Sequence, residues 1–395
     1  MTFSARVPAH LEPNLLSTTL QSFKQQRRPY LDLTLSNPTR AGFNYPPDLL
    51  SPLGHRRGLD YAPEPLGLPT ARAAVAADFV RRGLRVSPDR IALTASTSEA
   101  YSLVFKLLCD PHDEVLVPRP SYPLFEHLTR MDSVEAVSYL LELHGRWSLD
   151  LSSVERSLSS RARALLLVNP NNPTGSFVTE SDLDALAGLC RSAGVAIIAD
   201  EVFADYELTP GAAGQAGHLL TRTDVLGFTL GGLSKSVGLP QVKLGWMALS
   251  GDDNVVRAAL ERLALIADTY LSVSTPVQEG LSELLERGAS LRCQIQARVR
   301  ANHLALQTRA ARTRSCRVLP ADGGWYATLQ VPTLVDEETL VLELLTEEGV
   351  LVHPGYFFDF SSGSFLVVSL IPPEADFADA VDRVLRRFDR LERDP

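Results

Sequence analysis

Cysteine is scarce and scattered. Cys109, Cys190, Cys293 and Cys316 are the only four in 395 residues, and no two stand at metal-pair spacing. A cysteine metal centre and a disulfide scaffold are thereby excluded, no metal site is expected, and a reduced, cytoplasmic setting is the simplest reading. No apolar run reaches bilayer-spanning length, so no membrane partner is expected. Met1 to His10 has no apolar core after a basic start, so no secretory signal is expected either. Basic excess is also missing. Thirty-eight Lys and Arg against 47 Asp and Glu leave a net charge of -9, which disfavours a nucleic-acid partner. Internal repeats and low-complexity tracts are lacking as well.

What remains is an ordinary globular composition, 45% hydrophobic and 22% charged, on a chain long enough for two domains. Residues 1 to about 30 are polar and proline-punctuated, and read as an arm with one short helix. Leu31 to Leu35 alternates as a short strand and stops at the turn Asn37-Pro-Thr-Arg40. A Pro- and Gly-rich loop over 44–69, carrying Tyr61, leads to a helix from Ala71 to about Arg82 with Thr70 as its cap.

Strands and helices then alternate. Strands are expected at Ile91–Thr94, Glu114–Val117, Ala164–Val168, Val195–Ala199, Val225–Leu230 and Leu244–Leu249. Helices are expected at Ser98–Leu108, Thr179–Cys190 and Asn254–Ala267, with Thr179 and Asp182 resembling a capping box. Several strands are apolar throughout, so both sheet faces should be covered. This predicts an α/β fold with a mostly parallel sheet flanked by helices, and ligands at the strands' carboxyl ends. A smaller α+β domain should follow. Its elements are one long helical stretch over 276–312, strands at Arg317–Leu319, Trp325–Gln330 and Phe365–Ser369, and helices at Glu337–Glu348 and Ala375–Leu391.

Four of those strand ends carry chemistry. Lys235 follows Val225–Leu230 and a Gly-Gly pair, on an expected tight loop. It is either a surface lysine or one desolvated by apolar walls, whose lowered pKa makes the amine a nucleophile. Asp200 follows the apolar strand Val195–Ala199, as a helix cap or surface acid, or as an acid that keeps an aromatic ring nitrogen protonated. Asn169-Pro-Asn-Asn-Pro-Thr-Gly175 forms a rigid turn presenting Asn172. Thr94-Ala-Ser96-Thr97-Ser98 opens a helix and can cradle an anion with its N–H groups and hydroxyls.

This set, with Asn171-Asn-Pro-Thr-Gly175, Asp200-Glu201 and Ser234-Lys235 as its most specific matches, resembles the class I/II aminotransferases of fold type I, the aspartate-aminotransferase-like enzymes. The resemblance runs from about Leu31 to Ser369. It implies a seven-stranded-type sheet in a large domain over 44–272, a small domain over 273–395, and an arm with part of the small domain over 1–43. It implies pyridoxal 5'-phosphate as cofactor, a small-molecule amino donor, a keto or aldehyde acceptor, and a homodimer with shared sites.

The roles it implies are residue by residue. Lys235 carries the cofactor as a Schiff base and moves the proton. Asp200 pairs with the pyridine nitrogen, Asn172 bonds the phenolic oxygen and faces substrate, and Tyr122 stacks on the ring. Ser96, Thr97 and Ser234 hold the phosphate, and Tyr61 reaches it from the neighbouring subunit.

Three departures stand out. Lys243 occupies a phosphate position usually held by arginine, losing the two-pronged geometry. Phe203 replaces a tyrosine that bonds the phenolic oxygen. Val367, in Phe365-Leu-Val-Val-Ser369, stands where an arginine usually grips the substrate α-carboxylate. Either another cation takes over, with Arg40 and His353 as the candidates, or the substrate lacks that carboxylate. The same constellation also serves carbon–sulfur β-lyases, and a cofactor-binding regulatory protein is the non-enzymatic alternative.

Overall fold

The computed structural model describes residues 3–8, 11–313, 316–331, 335–360 and 362–393. The expected arm over 1–30 therefore lies partly outside the described residues; within them it carries one helix, Leu15–Gln25, capped by the Asn14 side chain.

The frame of the molecule is a mixed sheet in the order Ile91–Thr94, Gly245–Ser250, Gly227–Gly232, Ala196–Asp200, Ala162–Val168, Glu114–Arg119, Glu135–Leu143, Trp147–Leu149. The five strands from Gly227–Gly232 to Glu135–Leu143 run parallel. Gly245–Ser250 is antiparallel to both of its neighbours, and Trp147–Leu149 folds back on Glu135–Leu143 as a hairpin. The sheet thus has eight strands where a seven-stranded type was expected. Glu135–Leu143 and Trp147–Leu149 escaped the sequence reading because they are the last two strands at one edge. Most residues of Glu135–Leu143 stay partly exposed, so no apolar run announces it.

The continuous apolar runs of the inner strands have the expected cause. Leu166, Ile198, Phe228 and Met247 pack in one cluster, while Leu165, Leu167, Ile197 and Ala199 pack in another. Successive residues point to opposite faces, and each face is covered by helices. A separate four-stranded antiparallel sheet centres on Tyr326–Val331 and Ser364–Ser369. It shares its core with Trp325, Leu366 and the closing helix Glu374–Arg393.

Several boundaries moved for local reasons. The helix expected from Ala71 begins at Pro69, so proline at the first turn, and not a Thr70 cap, starts it. The 276–312 stretch is three helices, broken at Gly280 and Gly288. Leu31–Leu35 contributes a two-residue strand, Leu31–Asp32, paired with Val350–Leu351. Lys235 lies not on a loop but in the one-turn helix Leu233–Ser236, directly after a strand that runs through both glycines.

Candidate active site

The parallel strands end at one edge of the sheet, and the last residues of three of them, Val168, Asp200 and Gly232, line a cleft of about 520 Å³. Ser96, Thr97, Tyr122, Asn172, Asp200, Ser234, Lys235, Lys243 and His353 all line it. Arg40 and Tyr61 do not. Arg40 is exposed at the end of the turn Pro38–Arg40, although Ser36 just before that turn is in the lining. Tyr61 is 77% exposed, beside Leu103, Leu271 and Val273.

Lys235 as a residue is half-buried. Burial lowers its pKa to about 8, against the opposing pull of Asp200. Its Nζ lies 3.5 Å from the Ser36 carbonyl, and 4.9 Å and 5.7 Å from the Trp325 and Phe203 ring centres. Desolvation outweighs the attraction of those ring faces for a cation.

Asp200 is held as the last residue of its strand. The Tyr101 hydroxyl donates to Oδ2 at 2.8 Å and the Val202 N–H donates to Oδ1 at 3.1 Å. Burial still raises its pKa, outweighing both donors and Lys235. A cationic group placed against it would restore the charged form.

Asn172 is buried, and its Oδ1 has no hydrogen-bond partner. The turn that carries it is braced by its neighbour. Asn171 Nδ2 donates to the Pro120 carbonyl and to Thr174 Oγ1, at 3.1 and 2.9 Å. Gly175 is required there, since its φ is +70° and a Cβ would come within 2.7 Å of Ala321 and of the Gly323 carbonyl.

At the helix start Thr97–Leu108, the Ser96 hydroxyl accepts from the Glu99 N–H, and Glu99 in turn accepts from the Ala95 N–H. This cap uses the Glu99 N–H, while Thr97 and Ser98, ahead of it in the first turn, line the cleft. A Cβ at Gly245 would lie 3.0–3.1 Å from Ser96, Thr94 and Thr97 atoms, so that glycine lets the cradle approach the sheet.

His353 lines the far side, where burial pushes its imidazole down to about 4. It is therefore neutral near pH 7 and offers a carboxylate no charge. Val367 pairs in register with His353 and is fully buried beneath that wall. Tyr122, 43% exposed, meets Phe125 edge-on. Tyr326, Phe357 and Phe358 complete an aromatic end of the cleft. Sequence reasoning missed these three, and also Tyr101, Ser98 and Trp325. Ser98 stood inside the quoted anion turn; the aromatics carried no signal that distinguishes them from core residues.

Against known proteins, the profile of the aminotransferase class I and II family matches residues 48–384. The chain belongs to this family. It is an aminotransferase, moving an amino group between an amino donor and a keto or aldehyde acceptor. The alanine aminotransferase of Mycobacterium tuberculosis strain H37Rv is 29% identical over 374 residues, covering 90% of this chain and 84% of that one. The glutamate-pyruvate aminotransferase AlaA of Escherichia coli K12 is 28% identical over 379 residues, covering 91% and 90%. The structure of alanine aminotransferase from Pyrococcus furiosus superimposes with a TM-score of 0.85 at 23% identity, covering 98% of this chain and all of that one. A Thermus thermophilus aspartate aminotransferase double mutant gives 0.83 at 23%, covering 98% and 99%. These likenesses bear out the expected α/β fold, with its large and small sheets. The family works with pyridoxal 5'-phosphate.

Proposed function

We propose that this aminotransferase holds pyridoxal 5'-phosphate in the cleft at the strand ends, with Lys235 as the reacting amine. The observation that carries the reading is the partnerless, buried Asn172 Oδ1 in the same cleft as a half-buried acid, a depressed lysine and a helix-start anion cradle. When bound, the cofactor supplies an aldehyde that condenses with primary amines and a ring that accepts the electron pair left when a neighbouring carbon loses a proton.

The remaining work falls to the chain. With a pKa of about 8, roughly a tenth of Lys235 is neutral at pH 7 and able to take a proton. Asp200, aided by Tyr101 and Val202, regains its charge against a protonated ring nitrogen. The Asn172 side chain bonds a ring oxygen, and Tyr122 covers one ring face. Ser96, Thr97, Ser234 and Lys243 meet the phosphate, with Tyr61 supplied by a second copy in a homodimer. The high exposure of Tyr61 supports that last point. A cytoplasmic setting fits Cys109, Cys190 and Cys293, which form no disulfide. No helix among the described residues is long and apolar enough to cross a membrane. The division into arm, large domain and small domain is part of the same reading. Its support is the helix Ala289–Ala310, whose Leu291 packs with Leu233 and Trp246 while Ile295, Val299 and Leu306 pack with Trp325.

The names of the relatives favour a small α-amino acid, such as alanine or glutamate, as donor. A second reading, in which one of the two substrates has no α-carboxylate, is favoured by the cleft itself. Among its described lining residues the only cations are Lys235 and Lys243. The purified protein should show an absorbance band near the visible edge that borohydride removes, and Lys235→Ala should lack it. An unchanged spectrum in that variant rules the reading out. Transfer of amine from alanine or glutamate to a keto acid, tested beside simple amines, separates the two donor classes.

A further inference from the structure

The one-turn helix Leu233–Ser236 is too short to satisfy its own carbonyls, and the residue that bears the reacting amine is its third. Three side chains from elsewhere in the fold meet this main chain. The fully buried Tyr206 donates its hydroxyl to the Lys235 carbonyl at 2.5 Å and to the Ser236 carbonyl at 3.2 Å. Arg292 Nε donates to the Ser236 carbonyl at 2.9 Å. Tyr45 donates to the Gly238 carbonyl at 2.6 Å.

Arg292 is itself fixed from both sides, 3.3 Å from Asp78 and 3.6 Å from Asp205. It sits one turn into Ala289–Ala310, the helix that joins the two hydrophobic cores. That helix starts close against the lysine turn because Gly288 has no Cβ; one placed there would lie 2.6 Å from Val237 Cβ. Asp205 and Tyr206 belong to the segment just after Asp200. The clamp therefore ties the lysine main chain to the acid's own loop and to the helix between the cores.

We propose that Tyr206 and Arg292 are positioning residues, holding the Lys235 main chain so that its amine stays desolvated and aimed into the cleft. The proposal rests on Lys235 being the reacting amine. None of the clamp side chains lines the cleft, so the Tyr206 hydroxyl and the Arg292 guanidinium act on the amine through the lysine main chain, while the Tyr206 ring, which both variants keep, packs on Trp325. Small displacements of a reacting group are costly in rate, and a looser turn admits water to the amine.

The test uses the full-length protein and Tyr206→Phe, which keeps the ring against Trp325 and removes only the hydroxyl. Arg292→Lys, which keeps the charge beside Asp78 and Asp205 but loses the Nε donor, is the second variant should the first fold poorly. Two readouts are needed. In the loaded enzyme, kcat should fall about tenfold while KM for the donor stays within about twofold. In the cofactor-free protein, the pH midpoint of Lys235 labelling by trinitrobenzenesulfonate should rise by about half a unit or more, as solvent reaches the amine. Asp200 is the charged group facing that amine and is unaltered in both variants. A lower melting temperature with kcat and labelling midpoint both unchanged overturns the proposal, since the clamp would then be structural only. A wild-type protein without a borohydride-sensitive band, but with the midpoint shift in the variants, sinks the cofactor reading and leaves the clamp standing.

Discussion

The hydroxyl of Tyr101 donates to Asp200 across 2.8 Å, from the second turn of the helix that opens the anion cradle to the last residue of a central strand. The helix start proposed to cradle the phosphate and the acid proposed for the ring nitrogen are thus braced by one helix. Asp200→Asn keeps the shape and loses the charge. A charge-assisted bond of this kind is worth roughly 1.5–3 kcal/mol, so cofactor binding should weaken from tenfold to about a hundredfold. Tyr101→Phe should weaken it by a smaller, severalfold factor, because the Val202 N–H remains. Absorbance titration of the cofactor-free variants reads both. Equal affinities for wild type and Asp200→Asn would exclude the ring-nitrogen role.

Burying the Lys235 ammonium opposes folding of the cofactor-free protein. Its folded pKa of about 8 lies below the ordinary 10.5. Between those values the unfolded chain holds the proton more firmly, so stability climbs as pH rises through that window. Lys235→Met should therefore be more stable than wild type at pH 7, on the order of 2 kcal/mol, with the gain fading by about pH 10.5. Urea unfolding at a series of pH values measures it, and a gain that is constant with pH would mean that packing, not charge, is responsible.

Much of this site was legible because its residues stand where strands stop. Apolar runs ending at Asp200, at Asn169 and before Gly231 announced a sheet edge and the groups on it. What could not be read were contacts made by side chains that look like core. Tyr101 sits in the apolar stripe of its helix, and nothing in the sequence marks its hydroxyl as the partner of an acid 99 positions away. From sequence Trp325 reads only as the start of a strand, yet its ring lies under the Lys235 amine. The charge state of His353 was equally hidden, since it depends on burial beside Phe357 and Phe358, which only the fold brings about.

Gly245→Ala tests the anion cradle. The added Cβ meets backbone of Ser96 and Thr97 and the Thr94 side chain, at 3.0–3.1 Å. Backbone at a capped helix start yields less readily than a flexible side chain, so the first-turn N–H groups should shift. Cofactor affinity should fall severalfold, and so should protection of the cofactor-free protein by inorganic phosphate in thermal melts. Undiminished phosphate protection would show that the anion binds elsewhere.

His353 should not titrate near its ordinary value. Its imidazole stays neutral in the fold until pH falls to about 4. Between about 6.5 and 4 the unfolded chain accepts a proton that the folded one refuses, and stability is lost as pH falls through that range. His353→Gln should remove that loss, on the order of 2 kcal/mol by pH 4. It should also leave the pH profile of kcat/KM between 6 and 8 unchanged in shape. Disappearance of a limb near pH 6.5 in the variant would show that the ring is charged in the working enzyme.

The wall under His353 bears on how a donor's carboxylate is held. Val367 lies buried in register with a neutral imidazole, and Arg40 stands exposed outside the cleft lining. A carboxylate against valine and uncharged imidazole gains no ion pair and loses water, a cost of several kcal/mol if it were fully buried. Two outcomes separate the ways out. If Arg40 swings in to hold the carboxylate, Arg40→Ala should raise KM for an amino-acid donor by tenfold or more, as loss of a charge-assisted bond does. Its outward placement predicts less than about twofold. The same placement predicts that deleting the carboxylate from the donor, for example replacing alanine by ethylamine, costs much less in kcat/KM than the loss of a buried ion pair. A large penalty for the amine together with a silent Arg40→Ala would instead point to a cation brought by the second copy of the chain.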